Sequence, residues 1–592
     1  MLQEIKNLIK EKIQEKYNIS IKEILLEKPP KENLWDFSFA CFVLSKQLKQ
    51  NPNIIANDLA KLLPWWNIIK QTNTVWPYLN IKLSNTLYTK IFNKTYENIT
   101  KNTYFPEKNK KNIVVDYIWP NIWKPLHIWH MCCPNIWQTI INLYKKLWYN
   151  VISDTHLWDW WIIFWKLITA YKLWWNENKL KENAVKHLLE LYVKITEESE
   201  KDKNLEQKFR DEFKLLSLGD KESVELWKTF TLYSIDAMQI QLDRLNIKAD
   251  YNIWESFYEW IWLPKLWDYP DLEYDMKSIV LELIDKKIAT KNKDNSVWII
   301  FDEKSGIPSC ILQKRDETHW YLASDLSCMK YRMNNWNPDK IIFCTDVRQQ
   351  LHFKQLFAIS NKAWWLDKNP HIPESWKTQL IHAHNWFISL KDGAMSSRKW
   401  RIIKLDKLLD EAEKRAKNII LEKRNDITWL KLEELSKIIG LWAIKYGYLK
   451  KSRDTDIIFD WDEFISFEWN SWPYIQYSYV RAKKILKIYG KKFDQDKIEN
   501  NLLEDQKEIE LIKLICDYKN ILFEVTDDHM PHILCKYVYE LTKKFNSFYN
   551  SVHILNEADE NKKNARLKLI FIFSFILKDV FWILGIDMPE EM

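Results

Sequence analysis

The chain has 592 residues, and its formal net charge is +7 because 88 lysines and arginines face 81 aspartates and glutamates. This length is sufficient for roughly two to four domains. With 46% hydrophobic residues, the composition excludes a fibrous or disordered protein. The small positive charge is compatible with a polyanionic partner and equally with an ordinary lysine-rich surface.

Cysteine usage and hydropathy indicate the compartment. The eight cysteines include no C-x-x-C pair, and the adjacent Cys132 and Cys133 are too close together to share a metal ion comfortably. We therefore predict a reducing, cytoplasmic environment and no structural metal site. The most apolar stretch, LIFIFSFILKDVFWILGI, is interrupted by Lys578 and Asp579, which favours a buried helix over a membrane span.

Glycine and tryptophan occur in unusual numbers. The chain contains 7 glycines and 34 tryptophans, whereas average usage predicts about 41 glycines. A protein of this size needs glycine for left-handed turns and close backbone contacts. We hypothesise that most tryptophans stand for glycine, through a UGA codon that the source organism translates as glycine. The alternative is an aromatic-rich protein, which would place its tryptophans on apolar faces. Instead, tryptophans lie beside turn-forming residues, as in FEWNSWPY.

The N-terminal segment is predicted to begin with a charged amphipathic helix, which is unlike a signal peptide. Its apolar face comprises Leu2, Ile5, Leu8, Ile9 and Ile13. Further helices and a few short strands follow, so residues 1–90 are predicted to form a small α+β domain. The lysine- and asparagine-rich residues 93–112 are predicted to be a linker.

From residue 113 onward, strands and helices alternate. IVVDY precedes a histidine-bearing helix, NVISDTHL is a second strand, and KIIFCTDV is a later strand before another helix. The alternation predicts an α/β domain with a parallel sheet, crossover helices and a helical insertion, spanning residues 108–430. Nearly everything after residue 405 has helical periodicity, so residues 431–592 are predicted to form an all-α domain.

Two histidines follow the first strand of this domain. His127 and His130 lie where the strand is predicted to lead into a helix, and the spacing alone is a weak motif. Metal ligands on a helix would need i, i+4 spacing or a third partner, so a metal site is not indicated. At a helix N-terminus, two imidazoles and free backbone N–H groups can bind a triphosphate. Trp129 would fill the space in which glycine would let a nucleotide approach the backbone.

A basic, serine-containing segment, KDGAMSSRKW, occupies residues 391–400. By itself it is typical of a surface turn with a basic tail. It follows the sheet region and combines Ser396, Ser397, Arg398 and Lys399, so it also fits a mobile loop that binds the leaving pyrophosphate.

A third group of residues is polar and distributed over three segments. It comprises Asp116, Asn121, Tyr321, Asp325 and Gln349. Individually, each is typical of a surface or a helix cap. Together they would suit a planar cation, because a carboxylate accepts two parallel hydrogen bonds from a guanidinium group.

These segments together resemble the arginyl-tRNA synthetase family over nearly the whole chain. VVDYIWPNIWKPLHIWHM is similar to the family's class I signature, HLWDWWIIFWKLI to its His-Leu-Gly-Asp-Trp-Gly segment, and DVRQQLHFKQLF to its arginine-pocket helix. FEWNSWPYIQYSYVRA resembles the start of its anticodon-binding domain, and ENLWDFSFACFVLSKQL its N-terminal domain. Tryptophan stands at most family glycines, whereas Trp160 and Trp461 match true tryptophans, which supports recoding independently of composition.

The resemblance implies which residues bind arginine. The guanidinium group would be bound by Asp116, Tyr321 and Asp325. The backbone end of the amino acid would be bound by Asn121, His130 and Gln349.

The resemblance also implies an ATP site. ATP would be bound by His127, His130, Met395, Ser396 and Lys399. The catalytic set would combine the two histidines with Lys124, Ser396, Ser397, Arg398 and Lys399. Two departures concern this site: Ala394 replaces the lysine that usually begins the loop, so Lys399 or Lys124 would supply that charge, and Cys132-Cys133 replace the usual Arg-Ser.

The implied activity is that of an arginine–tRNA ligase with a Rossmann-type catalytic domain and an α-helical anticodon-binding domain. It would use ATP, with Mg²⁺ that accompanies ATP rather than occupying a protein-held site. Its partners would be L-arginine and tRNA(Arg), and we expect a cytoplasmic monomer with no membrane association. The alternatives are a synthetase for another amino acid and a catalytically inactive RNA-binding homologue.

Overall fold

The computed structural model describes residues 2–21, 23–29, 35–63, 68–101, 103–105, 109–117, 126–157, 162–176, 179, 184–260, 263–266, 268–367, 377–386, 388–390, 403–423, 427–464, 472–490 and 502–586.

The N-terminal part of the chain combines helices with an antiparallel sheet. Its elements are α1 (Leu2–Tyr17), β1 (Leu26–Glu27), β2 (Phe37–Ala40), α2 (Phe42–Leu48), α3 (Pro52–Leu62), β3 (Ile69–Val75), β4 (Tyr78–Leu83) and α4 (Asn85–Thr100). The strands pair in the order β1-β2-β4-β3, all antiparallel. Helix α1 buries Ile5, Ile9 and Ile13. The predicted small α+β domain is therefore confirmed.

Helix α4 extends into the segment that was predicted to be a linker. Phe92, Tyr96 and Ile99 are buried at i, i+4 and i+7 of this helix. That spacing forms an apolar stripe, which the surrounding lysines and asparagines obscure in the sequence. The prediction of a linker is therefore wrong up to residue 100.

The central part of the chain contains a parallel sheet. Its elements are β5 (Asn112–Asp116), α5 (Ile128–Lys146), β6 (Asn150–Leu157), α6 (Ile162–Trp174), α7 (Ala184–Lys201), α8 (Asn204–Ser217), α9 (Lys221–Arg244), β7 (Tyr251–Trp254), α10 (Met276–Asp285), β8 (Thr290–Lys291), β9 (Val297–Ile299), β10 (Cys310–Gln313), α11 (Tyr321–Trp336), β11 (Lys340–Phe343), α12 (Gln350–Lys362) and β12 (Gln379–His382). Five strands form the sheet β12-β11-β5-β6-β7, in which every pair is parallel. The predicted α/β class with crossover helices is confirmed.

The strand order determines where a ligand can bind. From β5 the chain passes through α5 to β6 on one side, whereas β11 lies on the other side of β5. The order thus reverses at β5, and in open α/β sheets ligands bind in the crevice at the carboxyl ends of the strands at such a point. Asp116 ends β5 at this crevice.

The C-terminal part is almost entirely helical. Its elements are β13 (Ile388–Leu390), α13 (Leu405–Lys423), α14 (Trp429–Leu449), β14 (Ile457–Phe459), α15 (Trp461–Phe464), α16 (Trp472–Tyr489), α17 (Gln506–Asp528), α18 (Pro531–Ser551) and α19 (Glu560–Ile583). The apolar stretch of the sequence is the buried helix α19, in which Asp579 accepts a hydrogen bond from Tyr518 Oη at 2.6 Å. Within the described ranges, no helix is long and apolar enough to cross a membrane.

Candidate active site

The histidine pair, His127 and His130, begins helix α5. His127 is the residue before the first helical turn, and its backbone N–H donates to His130 Nδ1 at 3.1 Å. The two ring centroids are 4.0 Å apart. Because Nδ1 of His130 accepts a hydrogen bond, the proton of its neutral ring is on Nε2. The prediction that both imidazoles lie at a helix N-terminus is confirmed.

A second segment contacts the histidine pair through its backbone. Ile128 N–H donates to Ile403 C=O at 3.1 Å, and Leu405 N–H donates to Leu126 C=O at 2.9 Å. Residues 403–405 begin three positions after the end of the serine-containing segment 391–400. The segment 403–405, which comes after the predicted pyrophosphate loop in the chain, therefore lies beside His127.

The histidine-bearing helix is also connected to the end of strand β5. Cys344 N–H donates to Asp116 C=O at 2.9 Å, and Cys133 Sγ donates to Cys344 C=O at 3.4 Å. Cys133 lies on α5, one turn after His130. These two contacts hold the histidine pair and the carboxyl edge of the sheet in one site.

Asp325 lies on α11 between two buried histidines. His352 Nε2, on α12, is 2.5 Å from Asp325 Oδ2, and His156 Nε2, on β6, is 3.3 Å from Asp325 Oδ1. Burial works to raise the pKa of Asp325, but the two histidines outweigh it and hold that pKa below its ordinary value. Burial lowers the pKa of His156, and the charges of Asp325 and Asp116 oppose that effect. Asp325 is thus an ionised carboxylate inside the protein.

A buried arginine joins two further carboxylates. Arg332 Nη1 donates to Asp116 Oδ2 at 2.6 Å, and its Nε and Nη2 donate to Asp154 Oδ2 at 3.1 and 2.8 Å. Burial raises the pKa of Asp116, and it raises the pKa of Asp154 to about 7, while Arg332 acts in the opposite direction on both. We call these six residues the buried charge cluster: Asp116, Asp154, His156, Asp325, Arg332 and His352.

Tyr321 and Gln349 lie at the edge of this cluster. Tyr321 begins α11, one turn before Asp325, and its ring centroid is 4.9 Å from that of His352. Gln349 ends the short 3-10 helix Val347–Gln349, one turn before His352. The structure therefore brings four predicted arginine ligands to one region: Asp116, Tyr321, Asp325 and Gln349.

Other predicted residues lie outside the described part of the chain. They are Asn121, Lys124, Met395, Ser396, Ser397, Arg398 and Lys399. Their roles stay predictions. Among the described residues, no group of three or more histidine, cysteine, aspartate or glutamate side chains could hold a metal ion.

Sequence reasoning missed Asp154, His156, Arg332 and His352. Two signals were available: Arg332 is seven residues after Asp325, which places both on one face of a helix, and His352 follows Gln349 by three. The partners that give these residues their role are far away in the chain, and no spacing rule identifies them.

Three family models match successive parts of the chain. Residues 3–83 match the arginyl tRNA synthetase N terminal domain, residues 95–461 the tRNA synthetases class I (R) catalytic domain, and residues 475–592 the DALR anticodon binding domain. The chain is 33% identical over 583 residues to the arginine–tRNA ligase of Fusobacterium nucleatum, covering 97% of this chain and 96% of that one. It is 32% identical over 593 residues to that of Clostridium acetobutylicum, covering 99% and 100%.

Solved structures share the fold. The Thermus thermophilus arginyl-tRNA synthetase superimposes with a TM-score of 0.77 at 19% identity and covers 100% of both chains. The Plasmodium falciparum arginyl-tRNA synthetase gives a TM-score of 0.79 at 22% identity, covering 100% of this chain and 99% of that one. At these identities the likeness supports the fold alone.

Proposed function

The chain belongs to the arginyl-tRNA synthetase family, the arginine–tRNA ligases of class I. We propose that it carries out the two-step reaction as follows. In the first step the carboxylate of L-arginine attacks the α-phosphate of ATP, which forms arginyl-adenylate and releases pyrophosphate. In the second step the terminal ribose of tRNA(Arg) takes the arginyl group, and AMP leaves. The protein mainly positions the reactants and neutralises developing charge.

Asp325 is the residue that selects arginine. It is ionised, buried and held on both oxygens, so the remaining lone pair on each oxygen can accept one of two parallel N–H donors from a guanidinium group. Lysine offers only a point charge to such a carboxylate. This oriented, ionised carboxylate is the observation that carries the proposal, and Tyr321 and Asp116 complete the guanidinium subsite beside it.

The backbone end of arginine and the phosphates of ATP meet at the histidine pair. Asn121, His130 and Gln349 bind the amino acid backbone, and His127, His130, Met395, Ser396 and Lys399 bind ATP. The N-terminus of α5 favours negative charge there, because its first backbone N–H groups point toward the ligand. Mg²⁺ that arrives with ATP neutralises phosphate charge. Lys124, Ser396, Ser397, Arg398 and Lys399 stabilise the leaving pyrophosphate.

The outer domains bind tRNA(Arg). The helical C-terminal domain would contact the anticodon region, with basic edges in RAKKILK and YLKKSR, and the N-terminal domain would contact the tRNA elbow. We place the protein in the cytoplasm as a monomer without membrane association.

We also propose that most tryptophans in this sequence are glycine in the organism. Trp148 and Trp364 have φ of 62° and 64°, a backbone conformation that favours glycine. Both follow a helix end: Trp148 N–H donates to Lys145 C=O and Tyr149 N–H to Tyr144 C=O, and the same pattern recurs at Trp364. This hydrogen-bonding pattern usually has glycine at that position.

Buried tryptophans support the same proposal. The indole Nε1 atoms of Trp137 and Trp442 are buried without a hydrogen-bond partner among the described residues. A buried indole N–H usually finds an acceptor, whereas glycine has no such group. Peptide mass spectrometry of the native protein tests this directly, and tryptophan at positions 148 and 364 would refute it.

Exchange of radioactive pyrophosphate into ATP tests the activity. We expect exchange that requires arginine and is absent with the other amino acids, and we expect it to require tRNA(Arg), as the family resemblance implies. Exchange with a different amino acid would indicate a different synthetase. Retained tRNA binding without any exchange would indicate the inactive homologue, and strong exchange without tRNA would refute the tRNA requirement.

A further inference from the structure

One arginine joins α9, the last helix between β6 and β7, to α13, the helix that begins beside the histidine pair. Arg244 ends α9, and its Nη2 donates to Glu413 at 2.8 Å and to Asp410 at 3.2 Å. Its Nη1 lies 3.6 Å from a carboxylate oxygen of Asp406. Gln241, one turn earlier on α9, donates through Nε2 to Asp406 at 2.8 Å. We call these five residues the Arg244 network.

The three carboxylates of this network lie on one face of α13, because they are four and three residues apart. Another face of the helix is apolar and packed, with Leu408, Leu409 and Ala412 buried. Helix α14 approaches there so closely that a Cβ on Gly440 would lie 2.7 Å from the backbone of Ala412. Packing therefore holds α13 in the fold, and the Arg244 network is an additional constraint on its first turns.

Helix α13 continues directly from a backbone bridge to the histidine pair. His127 pairs with Lys404 in an antiparallel bridge, which two backbone hydrogen bonds close at 2.9 and 3.1 Å. Asp406 follows Lys404 by two residues and lies in the first turn of α13. The contact with α9 is therefore made on the helical turn that adjoins the bridge.

We propose that Arg244 is a positioning residue for ATP binding: by holding the first turns of α13 against α9, it fixes the backbone bridge that orients His127. This inference rests on the proposed role of the histidine pair in binding ATP. Arg244 contacts no substrate in this role and acts only through α13.

The chemistry of the network suits this role. An arginine presents five N–H donors in a planar fork and can contact several carboxylates in one geometry, whereas lysine is a point charge. The side chains of Arg244 and Glu413 are only 31% and 27% exposed, so solvent and salt screen their attraction less than that of a fully exposed pair. Arg244 in the last turn of α9 and Asp406 in the first turn of α13 also complement the two helix dipoles.

Loss of Arg244 should not unfold the protein. Partly exposed ion pairs contribute little to the free energy of unfolding, and the apolar face of α13 stays packed against α14. The expected consequence is a shift of the first turn of α13 and of the bridge at His127, which a measurement of nucleotide binding can detect.

The test is a double-mutant cycle on the full-length protein. Arg244→Met is made alone and together with Asp406→Asn and Glu413→Gln, and pyrophosphate exchange with tRNA present gives the KM for ATP and for arginine separately. Neither KM depends on the active fraction of the preparation. We expect Arg244→Met to raise the KM for ATP about 3- to 10-fold, the range for losing a few partly exposed charge pairs. The KM for arginine should stay within about twofold.

Two further comparisons sharpen the cycle. Arg244→Lys keeps the charge but not the fork, so its KM for ATP should lie between those of the parent and Arg244→Met. Where Asp406 and Glu413 are already replaced by their amides, Arg244→Met should add less than about twofold, because most of its partners are neutral.

Arg415, on the same helix, provides the matched control. Its side chain is 34% exposed, and it also donates to two carboxylates, Glu411 at 3.0 Å and Asp462 at 2.9 Å. Asp462 is on α15, so this contact does not involve α9. Arg415→Met should leave both KM values unchanged.

The outcomes separate this inference from the proposed function. The inference is wrong if Arg244→Met leaves the KM for ATP within about twofold, raises the KM for arginine equally, matches Arg415→Met, or is fully additive with the amide substitutions. If instead His127→Asn leaves the kcat for exchange unchanged, the proposed role of His127 is wrong, and the inference that rests on it falls with it.

Discussion

The proposed arginine side and the proposed nucleotide side of the site are built differently. In the buried charge cluster, Asp325 and Asp116 are more than nine-tenths buried, and each carboxylate accepts hydrogen bonds at fixed positions from neighbouring helices and strands. The histidine pair is half-buried at a helix end, beside the segment that follows the predicted loop. A rigid cation is recognised by fixed charges, whereas phosphates that depart during the reaction need donors that can adjust.

The largest expected effect lies on the nucleotide side, at position 129. Two forms are compared, both with glycine at the other recoded positions. We expect the Trp129→Gly form to catalyse pyrophosphate exchange and the form that keeps Trp129 to show no exchange above background. An indole adds a group of about 150–250 Å² between the two histidines. Trp160 stays tryptophan in both forms as a control, because it matches a true tryptophan of the family.

Exchange activity in the Trp129 form would show that the nucleotide does not approach the backbone between His127 and His130. Mass spectra of the native protein with tryptophan at this position would contradict the recoding proposal itself.

The next largest effect is expected on the arginine side. Asp325→Asn keeps the volume but removes the charge and replaces one acceptor with a donor that opposes the guanidinium. The loss should be about 2–5 kcal/mol, or roughly 30-fold to several thousand-fold in kcat/KM for arginine. The KM for ATP, measured in the same exchange assay, should hardly change.

Asp579→Asn is the matched control, since Asp579 is equally buried but contacts Tyr518 and Lys146, and Lys146 ends α5 at the opposite end from the histidine pair. It should leave kcat/KM for arginine unchanged. If Asp325→Asn stays within about threefold of the parent, a difference under about 1 kcal/mol, arginine specificity has to come from other residues.

For His127→Asn we expect a smaller loss of activity than for Asp325→Asn, in kcat rather than in the KM for arginine. Asparagine keeps a good helix-capping residue at this position but removes the imidazole that we propose contacts the phosphates. We expect kcat for exchange to fall about 10- to 100-fold, a loss in the range of one transition-state hydrogen bond to a charged group. The KM for arginine should change little, and the exposed His553→Asn should have no effect. An unchanged kcat would remove His127 from the nucleotide site.

The two sides also differ in how far the sequence predicts them. The location of the histidine pair follows from local signals, because a run of β-branched residues before His127 predicts a strand and the apolar pattern after it predicts a helix. The parallel sheet is predictable for the same reason. The prediction failed at residues 93–100, where lysines and asparagines hide an apolar stripe.

The buried charge cluster could be predicted only in part. Tyr321 and Asp325 are one turn apart on a single helix, so their proximity follows from the sequence. Arg332 meets Asp116 and Asp154 across 216 and 178 residues of chain, and His156 reaches Asp325 from a different strand. Such contacts depend on strand order, which local periodicity does not specify.

The smallest effect is expected for Tyr321→Phe, and it tests whether charge rather than hydrogen-bond number selects arginine. The change removes one neutral hydroxyl at the partly exposed edge of the cluster, 37% exposed, and keeps the ring against His352. We expect kcat/KM for arginine to fall by about 0.5–1.5 kcal/mol, roughly 2- to 12-fold. Tyr331→Phe, on the same helix, removes a hydroxyl that donates to Pro270 C=O at 3.0 Å away from the subsite, so it should leave this value unchanged. A loss for Tyr321→Phe equal to that for Asp325→Asn would mean that the hydroxyl contributes as much as the carboxylate, and that fixed charge is not what separates the two sides of the site.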